Sequence, residues 1–345
     1  MTRPSLVIAS NLAHTLNCNQ PHQPADRSSP RRRPLLLLAI LAVTTGAAQA
    51  GPLRDRIRER WQANHAQELE ADEANGAAVL PSGVRLLRDI AYGQDERQRF
   101  DVYLPPSLVK DAPVLFMVHG GAWMVGNKSA QAVVENKVAR WVPRGFIFVS
   151  INYRLLPKAR PLDQAGDVAR ALAAAQDKAA GWGGDRNRFI LMGHSAGAHL
   201  VSLLAAAPDL ARQAGASPWR GTVALDSAAY DLVSIMGDKH YGFYDRAFGT
   251  DPAYWQAASP QYRLQAPGAP FLAVCSAIRP DQPCRQARDF VRKAQSLGQK
   301  AEVLEQSLSH RDINQRLGEK PDYTQAVETF MASVDGNAAR LLDGR

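Results

Sequence analysis

The chain has 345 residues, 46% hydrophobic and 21% charged, with 25 Gly, 22 Pro and 3 Cys. Those proportions exclude a disordered, collagen-like or disulfide-scaffold protein. Lys and Arg number 41 against 33 Asp and Glu, a net charge of +8 that suggests nucleic-acid or membrane-surface binding unless the charge sits elsewhere.

Much of it sits at the N-terminus. Arg31-Arg32-Arg33, the apolar run 34–43 and the small residues of 44–50, ending in Ala48-Gln49-Ala50, read as the n-region, h-region and cleavage site of a signal peptide. Residues 1–50 are therefore expected to be a signal peptide with a long polar n-region. The apolar run is shorter than the roughly 20 residues that span a bilayer, so removal is expected rather than retention as an anchor. The protein is then periplasmic or secreted, with no stable membrane anchor. Five Arg and one Asp lie in residues 1–50, so 36 of the 41 basic and 32 of the 33 acidic residues remain after cleavage. No later stretch interleaves Lys or Arg with aromatics, and nucleic acid is not expected as a partner.

Residues 51–84 read as a polar N-terminal extension, helical from about Pro52 to Asn75, with Arg54–Trp61 a solvated face of mixed charge. Eight β-rich runs follow: Arg85–Ala91, Arg99–Leu104, Pro113–His119, Phe146–Asn152, Arg188–Gly193, Thr222–Leu225, Pro270–Cys275 and Ala301–Glu305. Val114-Leu115-Phe116-Met117-Val118 and Phe146-Ile147-Phe148-Val149 are nearly unbroken apolar runs, as strands buried on both faces read. Helical patterns lie between them at Ser129–Trp141, Gln164–Ala180, Ala196–Ala207, Cys284–Leu297 and Tyr323–Val334. The alternation predicts one α/β domain over 85–345, a three-layer sandwich around a mostly parallel eight-stranded sheet. The first two strands form an antiparallel hairpin at its edge. The longest interruption, 226–269 between strands six and seven, is rich in aromatics and reads as a small cap.

The residues with chemistry lie after the strands. His119-Gly120-Gly121-Ala122-Trp123 follows the third strand, where an HGG-type loop offers backbone N–H groups to a developing oxyanion. Gly121 and Ala122, with Ala196, are the expected donors. Trp123 either packs that loop or lines a substrate pocket. Gly193-His194-Ser195-Ala196-Gly197 follows the fifth strand and opens a helix, the setting a G-x-S-x-G nucleophile elbow requires. Ser195 needs a base among eight histidines. His14 and His22 fall in the leader, His65 in the extension, His119 and His194 in loop and elbow, and His199 on the elbow helix. The order Ser, acid, His leaves His240 in the cap, expected to contact substrate, and His310, which follows the eighth strand and is expected to be the base. Asp281 after the seventh strand is the preferred acid, with Asp226 and Asp231 after the sixth as alternatives.

Cys275 and Cys284 remain once Cys18 leaves with the leader. In an oxidising compartment an even pair suggests a disulfide, against the alternative of two buried thiols. A bridge would close the loop carrying Asp281 and fix that carboxylate.

These motifs, with Asp101-Val102-Tyr103-Leu104-Pro105, Asn152-Tyr153-Arg154-Leu155 and Tyr230-Asp231-Leu232, resemble the α/β-hydrolase serine esterases with an HGG-x-W oxyanion loop. That group includes hormone-sensitive-lipase-like carboxylesterases, feruloyl-esterase-like hydrolases and kynurenine formamidases. The resemblance runs from Tyr92 to about Leu317 and implies a Ser195–Asp281–His310 triad with Gly121, Ala122 and Ala196 as oxyanion hole. Two departures stand out: Ala122 replaces a third glycine, and Cys275-Ser276-Ala277-Ile278-Arg279-Pro280 replaces the usual glycine-containing turn before the acid.

The expected function is hydrolysis of short to medium acyl or aryl esters through an acyl-enzyme, with a small-molecule ester as partner. No metal or organic cofactor is expected, since no H-E-x-x-H, ligand-spaced Cys/His pair or G-x-G-x-x-G appears. An arylformamidase is the alternative within enzymes, and a non-catalytic binding protein the alternative outside them.

Overall fold

The structure is a computed structural model that describes residues 78–344. The expected leader and the helical stretch of the extension lie outside the described residues. Eight strands form one sheet in the order β1-β2-β4-β3-β5-β6-β7-β8. They are β1 Arg85–Ala91, β2 Arg99–Leu104, β3 Ala112–Val118, β4 Ile147–Ile151, β5 Gly184–His194, β6 Gly221–Leu225, β7 Phe271–Ser276 and β8 Ala301–Gln306. β2 runs antiparallel to both β1 and β4, and β4, β3, β5, β6, β7 and β8 are mutually parallel.

Helices cover both faces, as the unbroken apolar runs require. Val114, Phe116 and Val118 of β3 point into one core, with residues of α2 (Pro161–Lys178) and α3 (Ala196–Ala206); Leu115 and Met117 point into the other, with residues of α1 (Gln131–Trp141). After α3 comes the short α4 (Asp209–Gln213). Between β6 and β7 the chain makes four short helices, α5 Leu232–Gly237, α6 Gly242–Phe248, α7 Pro252–Ala258 and α8 Pro260–Arg263. Then follow α9 Pro283–Ser296, α10 His310–Gln315, α11 Pro321–Val334 and α12 Gly336–Asp343. α9 joins the first core, and α11 and α12 join the second.

The segments leaving β3, β5, β6, β7 and β8 all depart from the carboxyl ends of parallel strands, the edge where open α/β sheets place their sites. Among the described residues no helix is long and apolar enough to cross a membrane.

Candidate active site

Ser195 sits between β5 and α3 with φ 53° and ψ −115°, a conformation that costs a residue with a side chain about 1–3 kcal/mol. Its N–H donates to the Leu225 carbonyl at 2.9 Å, and its own carbonyl accepts from His199 N–H at 3.0 Å. The flanking glycines are required by contact. A Cβ on Gly193 would lie 2.4 Å from the Gly197 carbonyl oxygen, and one on Gly197 would lie 2.2 Å from that of Val118. The elbow is thus pressed against the end of β3, from which the His119–Trp123 loop starts.

That loop also has unusual backbone geometry. Gly121, Ala122 and Trp123 have φ of 105°, 47° and 63°. The Gly121 carbonyl accepts from Met124 and Val125 N–H, closing a turn in which a Cβ at 121 would meet Val125 oxygen at 2.2 Å. Beneath it, His119 Nδ1 donates to the Gly120 carbonyl at 2.7 Å, and its ring stacks on Tyr153 at 4.5 Å. The Tyr153 hydroxyl donates to the His119 carbonyl, and Arg97 donates to the carbonyls of Tyr153 and Gly126. Burial pushes the His119 imidazole down to about 3, so it is neutral and orders the loop.

Ala122, Trp123, Ser195, Ala196, Asp226 and His310 share the wall of one cavity of about 30 Å³. Gly121 is not in that wall. Trp123 is 3% exposed and does both things the sequence left open: it lines the cavity and packs edge-on against Phe248 at 4.8 Å and His199 at 5.4 Å. Its Nε1 donates to His199 Nδ1, while His199 Nε2 donates to the Ala258 carbonyl. Burial takes that imidazole down to about 4, and its neutral ring clamps the elbow helix to the segment between β6 and β7.

His310 opens α10, behind the Ser309 cap whose hydroxyl accepts from Asp312 N–H. Its Nδ1 lies 2.6 Å from Asp226 Oδ2. The carboxylate beside His310 is therefore Asp226, directly after β6, and not the expected Asp281. Asp226 is fully buried, accepts from Ser276 N–H at 2.7 Å through its other oxygen, and has φ 57°. Asp281 is occupied elsewhere: Arg279 Nε donates to its Oδ1 at 3.0 Å and Nη2 to its Oδ2 at 2.5 Å. The physical reason is the course of the chain after β7, which turns Arg279 inward and leaves Asp281 on the outer side of that guanidinium. Asp231 caps α5 through Ser234 N–H and does not contact His310 in any described bond.

Arg279 was not picked out from the sequence. It stands in the site with an 8% exposed side chain, and its Nη1 lies 2.7 Å from Asp226 Oδ2 and 2.9 Å from His310 Nδ1. Burial alone would raise the Asp226 carboxyl. The Arg279 charge and the His310 contact outweigh it and hold Asp226 far below the usual carboxylate range. Cys275 and Cys284 are bonded, with Cα atoms 5.2 Å apart, closing the loop that carries both Arg279 and Asp281. A serine and an imidazole that line one cavity, the imidazole bonded to a buried carboxylate, are the equipment of nucleophilic acyl transfer.

Comparison with known proteins agrees with this architecture. Residues 100–224 match the BD-FAE family. The chain is 33% identical over 216 residues to "Esterase LipQ" of Mycobacterium tuberculosis, covering 59% of this chain and 51% of that protein. It is 31% identical over 292 residues to "Probable carboxylic ester hydrolase LipM" of the same organism, covering 75% and 66%. The crystal structure of Esterase B from Lactobacillus rhamnosus superposes with a TM-score of 0.63 at 18% identity, covering 84% of this chain and 96% of that one. These likenesses show an α/β-hydrolase fold and make the chain similar to carboxylic ester hydrolases. The chain spans about half to two thirds of the length of these two curated relatives.

His240, expected to contact substrate, is not in the Ser195 cavity. It lines a second cavity of about 140 Å³ with Asp238, Lys239, Asp281, Arg285 and Gln286, and Ala228 and Tyr244 belong to both walls. Its Nε2 bonds Asp245 at 3.0 Å and its Nδ1 the Asp238 carbonyl at 2.7 Å. Partial burial lowers its proton affinity, but these acceptors outweigh that and raise it. Among the described residues no group of three or more His, Cys, Asp or Glu is arranged to hold a metal ion.

Proposed function

We propose that this protein is an exported serine hydrolase of short-chain carboxylic esters, with Ser195 as nucleophile, His310 as base and Asp226 as the acid that orients it. The observation that carries the reading is the shared cavity: Ser195 and His310 line one small pocket, and His310 is bonded behind it to a buried carboxylate.

Ser195 Oγ attacks the ester carbonyl carbon as His310 Nε2 takes its proton. Asp226 holds the Nδ1–H tautomer and stabilises the imidazolium. The new oxyanion faces the backbone N–H groups of Ala122 and Ala196, each such donor worth about 2.7–4 kcal/mol in the transition state. Collapse breaks the bond to the alcohol oxygen, which leaves with the proton from His310. A water activated by the same imidazole then releases the acid and regenerates Ser195.

The cavity supports the short end of the expected acyl range. A volume of about 30 Å³ holds roughly two water-sized groups, enough for an acetyl or propionyl chain. Trp123, Phe243 and Tyr244 close it, with Trp123 ring centroids 6.3 and 5.8 Å from the other two. The leader in residues 1–50 and the Cys275–Cys284 bridge support export to an oxidising compartment.

The test is a panel of p-nitrophenyl esters from acetate to laurate, with N-formylkynurenine beside it, run on protein recovered from the periplasm, where an N-terminus at Gly51 is expected. kcat/KM should be highest on acetate and propionate and fall at least about tenfold by octanoate, a methylene too many costing about 1–3 kcal/mol in such a pocket. A formamide preference would replace the esterase reading with an arylformamidase. A profile that rises with chain length would overturn the short-acyl reading. An intact N-terminus in the cytoplasm would overturn export.

A further inference from the structure

We propose that Arg279 is a positioning residue for the acid–base pair, delivered by the disulfide-closed loop between β7 and α9, and that Asp281 serves as its counter-charge. This rests on the reading of His310 as base and Asp226 as its partner.

A lone carboxylate behind a histidine is the simpler arrangement, and here it is absent. Arg279 shares Asp226 Oδ2 with His310, donating at 2.7 Å to the same oxygen that the imidazole meets at 2.6 Å, and its Nη1 also approaches the Asp226 carbonyl at 3.3 Å. With Ser276 N–H on the other oxygen, Asp226 is fixed from both sides and has one orientation left, toward His310. The loop that brings Arg279 there is short, its two cysteines nine positions apart in sequence, and is closed by their bond. Its first cysteine is the penultimate residue of β7 and its second lies in the first turn of α9, so the guanidinium is anchored to two rigid elements.

Charge accounting explains why Asp281 is present. A bare Asp226–Arg279 pair would be neutral and would leave the imidazolium of the transition state facing an arginine without net compensation. Asp281, bound through both oxygens to the far side of Arg279, restores one negative charge. Asp226, Asp281, Arg279 and a neutral His310 sum to −1, and the quartet becomes neutral when His310 takes the serine proton. The Arg279 cation opposes protonation of His310, and Asp281 favours it from farther away.

The other ionisable groups near His310 are constant across the variants below. His194 of β5 lies 4.5 Å away ring to ring and donates to the His310 carbonyl at 3.1 Å. Lys137 of α1 donates to the Asn314 carbonyl, and Tyr323 of α11 to that of Ile313. Tyr244 of α6 shares the cavity wall, and Arg311 and Asp312 are neighbours on α10 itself.

The experiment measures kcat, KM and the acidic limb of kcat/KM against pH for Arg279→Gln, Arg279→Lys and Asp281→Asn, with the His310 ring titrated by NMR in each. Circular dichroism confirms folding. Removing the cation should raise the pH of the acidic limb and of the His310 titration by about one unit. In Arg279→Gln, kcat should drop at least about tenfold with KM little changed. Arg279→Lys should restore most of the limb position, because it restores the charge. Asp281→Asn should move both limb and titration the other way, to lower pH, by less. A purely structural role would lower activity in both neutral variants without opposite shifts, and shifts in the same direction, or none, would overturn the proposal. The NMR arm separates this from the functional reading. If the wild type hydrolyses no ester yet His310 titrates as described, the esterase reading fails and the positioning role stands; if esters are hydrolysed and the titration is indifferent to Arg279, the reverse holds.

Discussion

Ser195→Ala should lower kcat on p-nitrophenyl acetate by about 10⁶-fold, because removal of the nucleophile leaves only binding and the oxyanion donors to act on water. The residual rate should still exceed the uncatalysed one by about 10³–10⁴, which the N–H groups of Ala122 and Ala196 supply. KM should change little. The fold should be unaffected. Alanine carries no hydroxyl to lose and keeps the same Cβ at φ 53°, so the strain of the elbow remains while the Leu225 and His199 backbone bonds persist. Melting temperatures within a few degrees of wild type, together with the rate loss, would locate the defect in chemistry. A loss below about 10²-fold would mean that another group is the nucleophile.

Asp226→Asn should cost about 10⁴-fold in kcat, since an amide presents an N–H to His310 Nδ1 and selects the wrong tautomer. The Asn variant also leaves Arg279 buried with Asp281 as its one carboxylate partner among the described contacts. Breaking a buried pair this way destabilises by about 3–5 kcal/mol, so a lowered melting temperature should accompany the rate loss. Because the Asp226 carboxyl is held below its ordinary value of 3.8, its contribution to stability is complete above that pH and is lost as pH falls below it. Asp226→Asn should therefore be flatter than wild type across that acid range. Asp281→Asn, by contrast, should lose only a few-fold to about tenfold in kcat. Equal losses in the two variants, or a larger one in Asp281→Asn, would return the acid to the position first expected.

The sheet was readable because its strands are buried on both faces, and runs such as Val114–Val118 and Phe146–Val149 fit the middle of a sheet covered by helices on both sides. Ser195, His119 and Gly197 were readable because their constraints are local: a turn between strand and helix admits few residues, and the Cβ clashes at 193 and 197 are the reason. His310 was singled out by chain order. Its carboxylate neighbour was not, because order alone admits both Asp226 and Asp281. The choice depends on which strand end faces His310, a matter of register between β6, β7 and the start of α10. One signal was available: Asp226 directly follows the last residue of β6, at the carboxyl edge of the sheet where sites collect. Arg279 carried no motif at all; its burial depends on a loop whose shape is set by the bond between Cys275 and Cys284. The short helices α5 to α8 were not predicted individually, since segments of four to seven residues hold too little periodicity to register.

The central claim is that Ser195 is a nucleophile activated by His310 and Asp226. A fluorophosphonate probe forms a stable bond only with such an activated serine, and titration with it followed by peptide mass spectrometry tests the claim directly. One phosphonyl group per chain on the peptide containing Ser195, with activity lost in proportion and labelling abolished in Ser195→Ala and slowed in Asp226→Asn, is the predicted result. Ester hydrolysis that persists at full rate with Ser195 unlabelled, or with the label on another residue, would contradict it.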